Sequence, residues 1–235
     1  MRLDKYLWEL GTRTEIKKLL KTGAVQVDGQ IVKDGGTQVN ENSDVVYMGK
    51  KHIYREFVYL VMNKPKGVVC ATRDNHLPVV TDIIDEQYKK FQAFPVGRLD
   101  IDTEGLLILT NDGPLCHDLT SPKKKLYKKY LAITQPAMEP ADAEKFLSGI
   151  DLGDFVTMPG NLEFTSTPEQ VVVTICEGKF HQVKRMCEKC GKTVTYLKRI
   201  SIGDFSIPDN MKPGDVIEMT KQELLDLIYS QTQEK

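Results

Sequence analysis

The apolar positions near the start of the chain recur at helical spacing. In a first short helix these positions are Leu3, Tyr6, Leu7 and Leu10. Gly11 is predicted to end this helix, because glycine disfavours the helical backbone. A second helix is predicted after Thr12, since Thr12 and Glu15 have the spacing of an N-terminal capping box. The pattern therefore predicts two short helices at the start of the chain.

Strand-like patterns follow these two helices. β-type runs on both sides of Asp28-Gly29 predict a tight hairpin, because Asp-Gly adopts the backbone of a two-residue turn. Residues 44–48 predict a further strand. The pattern as a whole predicts a small αα-plus-β-hairpin domain over residues 1–48. The polar residues that come next predict a linker over 49–56.

In the rest of the chain, residues 57–235, strand patterns outnumber helix patterns. Apolar or β-branched runs predict strands at 57–63, 105–110, 129–134, 171–176, 194–197, 205–207 and 215–219. Helices are predicted to start near Pro114 and His181, and a last helix is predicted over 221–230. Because strands and helices do not alternate regularly, the pattern favours an α+β fold over a doubly wound sheet.

A polar loop directly before one apolar strand is the strongest candidate for chemistry. Residues 97–113 read GRLDIDTEGLLILTNDG and place Arg98, Asp100 and Asp102 just ahead of the strand. Reactive side chains on a loop that is anchored by a buried strand are typical of an active site. Taken alone, however, the two aspartates also fit ordinary solvent-exposed acids, because acids are common on protein surfaces.

Charge is distributed unevenly along the chain. The net charge of the 235 residues is only -1. Residues 123–130 nevertheless contain five lysines and no acid, and residues 178–199 contain seven basic residues and one acid. Such asymmetry favours a basic face that binds a polyanion, although each lysine run also fits a solvated surface.

Composition excludes several classes of protein. A hydrophobic content of 40% and a charged content of 28% are ordinary for a globular protein, and the length allows one or two domains. No apolar run approaches the roughly 20 residues of a membrane helix. The first residues, MRLDKY, lack the apolar region of a secretory signal. The expected protein is cytoplasmic and makes no contact with a membrane.

The five cysteines predict reduced thiols rather than a disulfide framework, because their number is odd and they are scattered. Cys187 and Cys190 have the spacing of half a zinc site. The sequence offers no second Cys-x-x-Cys and no paired histidines to complete four ligands. We therefore expect no metal site.

Residues 1–48 resemble the S4 RNA-binding domain. Three segments carry the resemblance: RLDK at 2–5, RTEIKKLL at 13–20 and GAVQVDG at 23–29. Many such domains have a basic residue where this chain has Ala24, which puts one phosphate contact in doubt. The basic residues that we expect to bind RNA are Arg13, Lys17, Lys18 and Lys21.

Behind this unit, the chain resembles the pseudouridine synthases of the small-subunit rRNA (RsuA) type. The matching segments are NKPKG at 63–67, the 97–113 stretch and EGKFHQVKRM at 177–186. The resemblance implies a catalytic domain over 57–235 with a mostly antiparallel mixed sheet, flanked by helices and loops. It also implies an RNA isomerase that cuts the bond from C1′ to N1 of a uridine and rejoins C1′ to C5. No metal or organic cofactor is implied.

The resemblance also implies roles for individual residues. Asp100 matches the catalytic aspartate, which acts at the electron-poor C1′. Tyr130 matches the active-site tyrosine that stacks on the extruded uracil. Lys184 matches the basic partner of the catalytic aspartate, and Arg98 matches the arginine that fills the gap left by the flipped base. Val183 is expected either to line the uracil pocket or to belong to the core.

Three further polar residues have weaker assignments. Asp102 is expected to support the site or only to shape the turn. His181 and Gln182 are expected to hold the start of a helix rather than to act as general bases.

Several functions stay open at this point. The leading hypothesis is a pseudouridine synthase that acts as a monomer on ribosomal RNA, with small-subunit (16S) rRNA favoured over 23S rRNA or tRNA. A second hypothesis is a non-catalytic RNA-binding factor of ribosome assembly. A third is a glycoside hydrolase that uses Asp100 and Asp102, since retaining enzymes need two carboxyl groups roughly 5 Å apart. An intact set of Asp100, Tyr130 and Lys184 favours the first.

Overall fold

The computed structural model describes residues 1–230 and divides into two compact units. The first unit comprises Met1–Glu56, and the second begins at Phe57. The end of the predicted catalytic domain, residues 231–235, lies outside the described residues. Each unit is described below by itself.

The first unit contains two α-helices, a 3-10 turn and four short strands. In chain order these are α1 (Leu3–Tyr6), the 3-10 turn (Trp8–Leu10), α2 (Arg13–Lys21), β1 (Val25–Val27), β2 (Gln30–Ile31), β3 (Val45–Tyr47) and β4 (Lys50–Lys51). The strands form one antiparallel sheet in the order β2-β1-β3-β4. The predicted capping box is confirmed, because the Thr12 N–H donates to the Glu15 carboxylate at 2.7 Å and the Glu15 N–H donates to the Thr12 hydroxyl at 3.4 Å.

The predicted linker over 49–56 is wrong. Lys50–Lys51 form a strand that pairs with β3. Further along, the Trp8 indole N–H donates to the Arg55 carbonyl at 3.0 Å, and the Arg55 guanidinium pairs with Glu9 at 2.8 Å. Residues 49–56 are polar because they form the edge of the sheet and make ion pairs. Composition alone does not distinguish such an edge from a free linker.

The second unit is built around one sheet with helices and loops on its flanks. Its elements in chain order are β5 (Tyr59–Lys64), α3 (Glu86–Lys89), β6 (Phe94–Pro95), β7 (Glu104–Thr110), α4 (Gly113–Thr120), β8 (Lys128–Gln135), α5 (Pro140–Ser148), β9 (Asn161–Phe164), β10 (Gln170–Ile175), α6 (Gln182–Lys189), β11 (Thr193–Ile202), β12 (Phe205–Ser206), β13 (Val216–Met219) and α7 (Lys221–Ile228). A 3-10 turn over Pro122–Lys124 precedes β8.

The sheet of the second unit is mixed and mostly antiparallel. Its strands follow the order β13-β5-β7-β11-β8-β10-β9, with β6 paired to β7 and β12 paired to β11. Within the described residues, β7 and β11 are the one parallel pair. This topology confirms the expected α+β class and the mostly antiparallel mixed sheet. It places β7 and β11 side by side, and both strands lead into the site described below.

The central strands are buried and contain continuous apolar runs, residues 59–62 in β5 and residues 106–109 in β7. All six residues of β5 are buried, and β7 is buried from its second residue onwards. Gly105, at the start of β7, has a positive φ of 105° and faces the backbone of Arg199 in β11. A Cβ at Gly105 would overlap the Arg199 carbonyl oxygen. Glycine is therefore required for the close approach of the two strands next to the polar loop.

Several elements were not predicted from the sequence. They are β4, α3, β6, α5 and β9. These segments are short or lack a clear apolar period, so periodicity gives little signal for them. Within residues 1–230, none of the helices has the length and apolar character needed to cross a membrane.

Candidate active site

The polar loop that joins β6 to β7, residues 97–103, accepts backbone hydrogen bonds from a buried lysine, Lys64. The Lys64 ammonium donates to the carbonyls of Thr103 at 2.9 Å, Pro65 at 3.0 Å and Asp100 at 3.2 Å. Lys64 is fully buried at the end of β5. Burial lowers the pKa of Lys64, and the nearby Asp102 and Asp100 carboxylates oppose this shift. Lys64 thus fixes the backbone from which Asp100 projects.

Two carboxylates of this loop share one cation. The Lys184 ammonium of α6 lies 3.0 Å from Asp100 and 2.6 Å from Asp102. Burial tends to lower the pKa of Lys184, but its hydrogen bonds to both aspartates raise that pKa above its ordinary value. Burial likewise opposes ionisation of Asp102, and the bond to Lys184 outweighs it, so the pKa of Asp102 is lowered. The arrangement keeps Lys184 protonated and Asp102 ionised.

A histidine contacts Asp100 from the other side. His181 Nε2 lies 3.5 Å from the second Asp100 carboxylate oxygen. His181 is the residue before α6 and has a left-handed backbone, with φ at 48°. The exposed Phe180 ring stacks on the His181 ring with the centroids 3.8 Å apart. As expected, His181 lies at the helix start, but it also approaches the carboxylate directly.

The turn before α6 is fixed by a small hydrogen-bond network. The buried Gln182 side chain donates to Glu177 at 2.9 Å and accepts the Lys179 N–H at 3.0 Å. Glu177 also accepts the Met158 N–H at 2.8 Å. The network confirms the expectation that Gln182 holds the helix start. It sets the direction of α6 and therefore the position of Lys184.

Asp100 lines an open surface cleft. The predicted residues that line this cleft are Arg98, Asp100, Tyr130, Val183 and Lys184. Tyr130 comes from β8 and Val183 from α6, and both side chains are more than 90% buried. Leu197 and Ile175 complete an apolar wall. The fold therefore brings together all five residues that were expected at the catalytic centre.

The predicted RNA-binding residues of the first unit do not all share one surface. Arg13, Lys17 and Lys21 line a groove together with Arg2 and Lys33. Lys18 is exposed on the same helix but is not among the lining residues. The groove is not uniformly basic, since the Asp4 carboxylate pairs with Arg2 at 2.7 Å and lies 3.5 Å from Arg13.

Some residues of the site were missed or undervalued by the sequence analysis. In the sequence, Lys64 stands out only as part of a turn motif. No local pattern predicts that its side chain contacts the 97–103 loop. The sequence assigns Asp102 either to support of the site or to turn geometry, whereas the structure shows that it accepts the shorter of the two Lys184 hydrogen bonds. The signal for Lys64 was its position at the end of a fully apolar strand, where a lysine is buried only with partners.

No candidate metal centre is found in the part of the chain that the structure describes, residues 1–230, among its His, Cys, Asp and Glu side chains. Cys187 and Cys190 are free thiols. Burial raises the pKa of the Cys187 thiol to about 12, which disfavours the thiolate that a metal ligand requires.

Comparison with known proteins identifies the family. Residues 58–189 match the model of the RNA pseudouridylate synthase family, and residues 1–45 match the S4 domain. The chain belongs to the RNA pseudouridylate synthase family and has an N-terminal S4 domain. It is an RNA pseudouridine synthase, and its substrate is RNA. Membership of this family disfavours both a glycoside hydrolase and a non-catalytic assembly factor.

Similar proteins cover nearly the full length. An uncharacterized RNA pseudouridine synthase of Bacillus subtilis, YtzG, is 41% identical over 95% of this chain and 97% of its own. Ribosomal small subunit pseudouridine synthase A of Vibrio parahaemolyticus is 40% identical over 95% and 98%, and that of Escherichia coli K12 is 36% identical over 97% and 100%. A crystal structure of a pseudouridylate synthase, 33% identical, matches 97% of this chain with a TM-score of 0.68.

Proposed function

We propose that this protein converts a specific uridine of small-subunit (16S) rRNA to pseudouridine, with Asp100 acting at C1′. The observation that carries the proposal is the position of Asp100, which lies 3.0 Å from the Lys184 ammonium in a cleft that the buried Tyr130 also lines. The small-subunit assignment is supported by the full-length similarity to ribosomal small subunit pseudouridine synthases A.

Asp100 has the properties that the sugar chemistry requires. Its side chain is 24% exposed, so a substrate can reach it. Breaking the bond from C1′ to N1 leaves C1′ electron-poor, and a fixed carboxylate stabilises or attacks that centre. Lys184 compensates one of the two carboxylate charges in the free enzyme and holds Asp100 by an ion pair at 3.0 Å. After the base has turned, C1′ bonds to C5, the C5 proton is lost and N1 takes up a proton, so the product is an isomer of uridine.

The uracil would bind against the Tyr130 ring. A uridine inside stacked RNA cannot present C1′ and C5 to a side chain, so the nucleotide must leave the stack. Tyr130 and Val183 provide flat and apolar surfaces for the extruded base. Arg98 lies at the same cleft, and its planar guanidinium can stack in the space that the base has left.

The conversion experiment tests this function directly. Purified protein is incubated with unmodified small-subunit rRNA, large-subunit rRNA and tRNA, and pseudouridine is mapped at nucleotide resolution. We expect one or a few uridines to be converted in small-subunit rRNA alone. Conversion confined to large-subunit rRNA or tRNA would contradict the substrate assignment while leaving the chemistry intact. Absence of conversion in all three RNAs and in ribosome assembly intermediates would contradict the proposal itself.

The groove of the first unit is proposed to bind RNA phosphates. Lys17→Gln should lower the slope of log affinity against log salt concentration by about 1, because one released counterion is lost with each phosphate contact. Lys18→Gln is the matched control, since it removes the same charge from the neighbouring residue outside the groove. Both side chains are exposed, so neither change should alter folding. The measurement is fluorescence-anisotropy titration with rRNA at several salt concentrations. Equal slopes for the two variants would contradict the proposal that the groove binds RNA phosphates.

A further inference from the structure

A second cavity lies next to the catalytic cleft. Its volume accessible to water is about 320 Å³, and Arg98 and Tyr130 line both spaces. Its lining also includes Lys128 and Arg199, which the catalytic cleft lacks. We refer to the space around Lys128 and Arg199 as the cationic cavity. The functions discussed so far leave it without a role.

Strand geometry explains why two cations lie together here. Lys128 is two residues before Tyr130 in β8, so both side chains point to the same face of the sheet. Arg199 in β11 is the direct pairing partner of Tyr130. The three side chains therefore lie on one face. The register of two paired strands fixes their positions, so they do not depend on a loop.

The charge of Lys128 is poorly compensated. Its ammonium is half-buried and reaches the Cys176 carbonyl only at 3.5 Å. Burial, together with the positive charge of Arg199, lowers the pKa of Lys128 to about 8. No carboxylate among the described residues, 1–230, contributes to the shift in the Lys128 pKa.

Arg199 has a donor that is not used. The residue is only 4% exposed, and its Nε donates to the Leu106 carbonyl at 2.7 Å. Its Nη2 is shielded from solvent and has no hydrogen-bond partner among residues 1–230. Glu177 also lines the cavity, but one of its oxygens accepts from both Met158 and Gln182. A buried guanidinium donor without a partner is costly, which points to an anion that completes the cavity.

We propose that the cationic cavity binds a phosphate group of the RNA backbone next to the target uridine. The proposal rests on the proposed function for the identity of the ligand. RNA supplies a phosphate on each side of the flipped nucleotide, and the cavity adjoins the cleft through Tyr130 and Arg98. A guanidinium and an ammonium together match the oxygens of a phosphodiester. Binding there would hold the backbone while the base occupies the cleft.

A pair of neighbouring lysines provides the test. Lys128→Gln removes the cation from the cavity. Lys129→Gln removes the same charge from an exposed residue on the opposite face of β8. The substrate is an rRNA fragment that contains the mapped target uridine, in which single phosphates near that uridine are replaced by neutral methylphosphonates. KM and kcat are measured for every combination of protein and RNA.

We expect Lys128→Gln to raise KM by about tenfold or more, as for the loss of a charged hydrogen bond, while Lys129→Gln changes KM less than about twofold. One methylphosphonate should raise KM of the unchanged protein by a similar factor. The same methylphosphonate should not raise KM of the Lys128→Gln variant any further. Lys128→Arg should restore most of the affinity. Additive effects of the variant and of every methylphosphonate would overturn the proposal.

A second measurement separates the sources of the anion and the causes of failure. The melting temperature of the full chain is recorded in sodium phosphate and in sodium chloride of equal ionic strength. Stabilisation by phosphate that Lys128→Gln abolishes, without any methylphosphonate effect, would identify free phosphate as the ligand and overturn the RNA assignment. If Lys128→Gln does not fold, the methylphosphonate series on the unchanged protein decides whether a backbone phosphate near the target uridine is bound. If the unchanged protein converts no uridine, the proposed function fails, while the melting experiment still reports on the anion.

Discussion

Asp100→Asn is expected to lower the rate of uridine conversion by about 10³-fold or more, while the affinity for RNA changes less than about threefold. Asparagine has the shape of aspartate but neither its charge nor its nucleophilic oxygen, so stabilisation of C1′ is lost. The remaining surfaces that bind RNA are unchanged. Conversion is measured in single-turnover assays on small-subunit rRNA, and affinity is measured by titration of the same RNA.

The ion-pair geometry makes this variant interpretable. Lys184 keeps its 2.6 Å bond to Asp102 when Asp100 loses its charge, so the ammonium is not left buried without a partner. We therefore expect an unchanged melting temperature to within a few degrees. Asp102→Asn is the matched control and should lower the rate much less, by about tenfold, because it acts only through Lys184. An active Asp100→Asn protein would refute the assigned role.

Lys64→Met is expected to destabilise the second unit by about 3 kcal/mol. The substitution leaves the carbonyls of Pro65, Asp100 and Thr103 in a buried site without their donor. For a unit of this size, the melting temperature should fall by about 6–12 °C. Conversion should fall as well, because the backbone that positions Asp100 loses its support. The measurement is denaturant unfolding followed by circular dichroism.

Lys66→Met is the control for this second prediction. Lys66 lies in the same turn but is exposed, so its substitution should change the unfolding free energy by less than about 0.5 kcal/mol. Lys64→Arg tests whether a positive charge alone is sufficient at this position. Arginine keeps the cation but is too large for a site that is fully buried. Unfolding of Lys64→Met at the same denaturant concentration as the unchanged protein would show that the three carbonyls do not depend on Lys64.

Much of the fold could be predicted because the buried strands are strongly patterned. Continuous apolar residues identified β5 and β7, and the capping box at Thr12 identified α2. The linker prediction for 49–56 failed because an edge strand and a free segment are both polar. The short strand β9 and the helix α5 were missed because each has too few buried apolar residues to show a period.

The sequence by itself determined the class of fold and the family, because apolar periodicity and motifs are local features of the chain. The resemblance to the family also proposed the catalytic set Asp100, Tyr130 and Lys184. Only the tertiary structure decided which groups meet. It joined Lys184 to both Asp100 and Asp102, and it placed Lys128 beside Arg199. The physical reason is that strand register and helix direction bring distant residues together. The energy of a shared or uncompensated charge depends on those distances and on burial, and neither quantity is encoded in a local pattern.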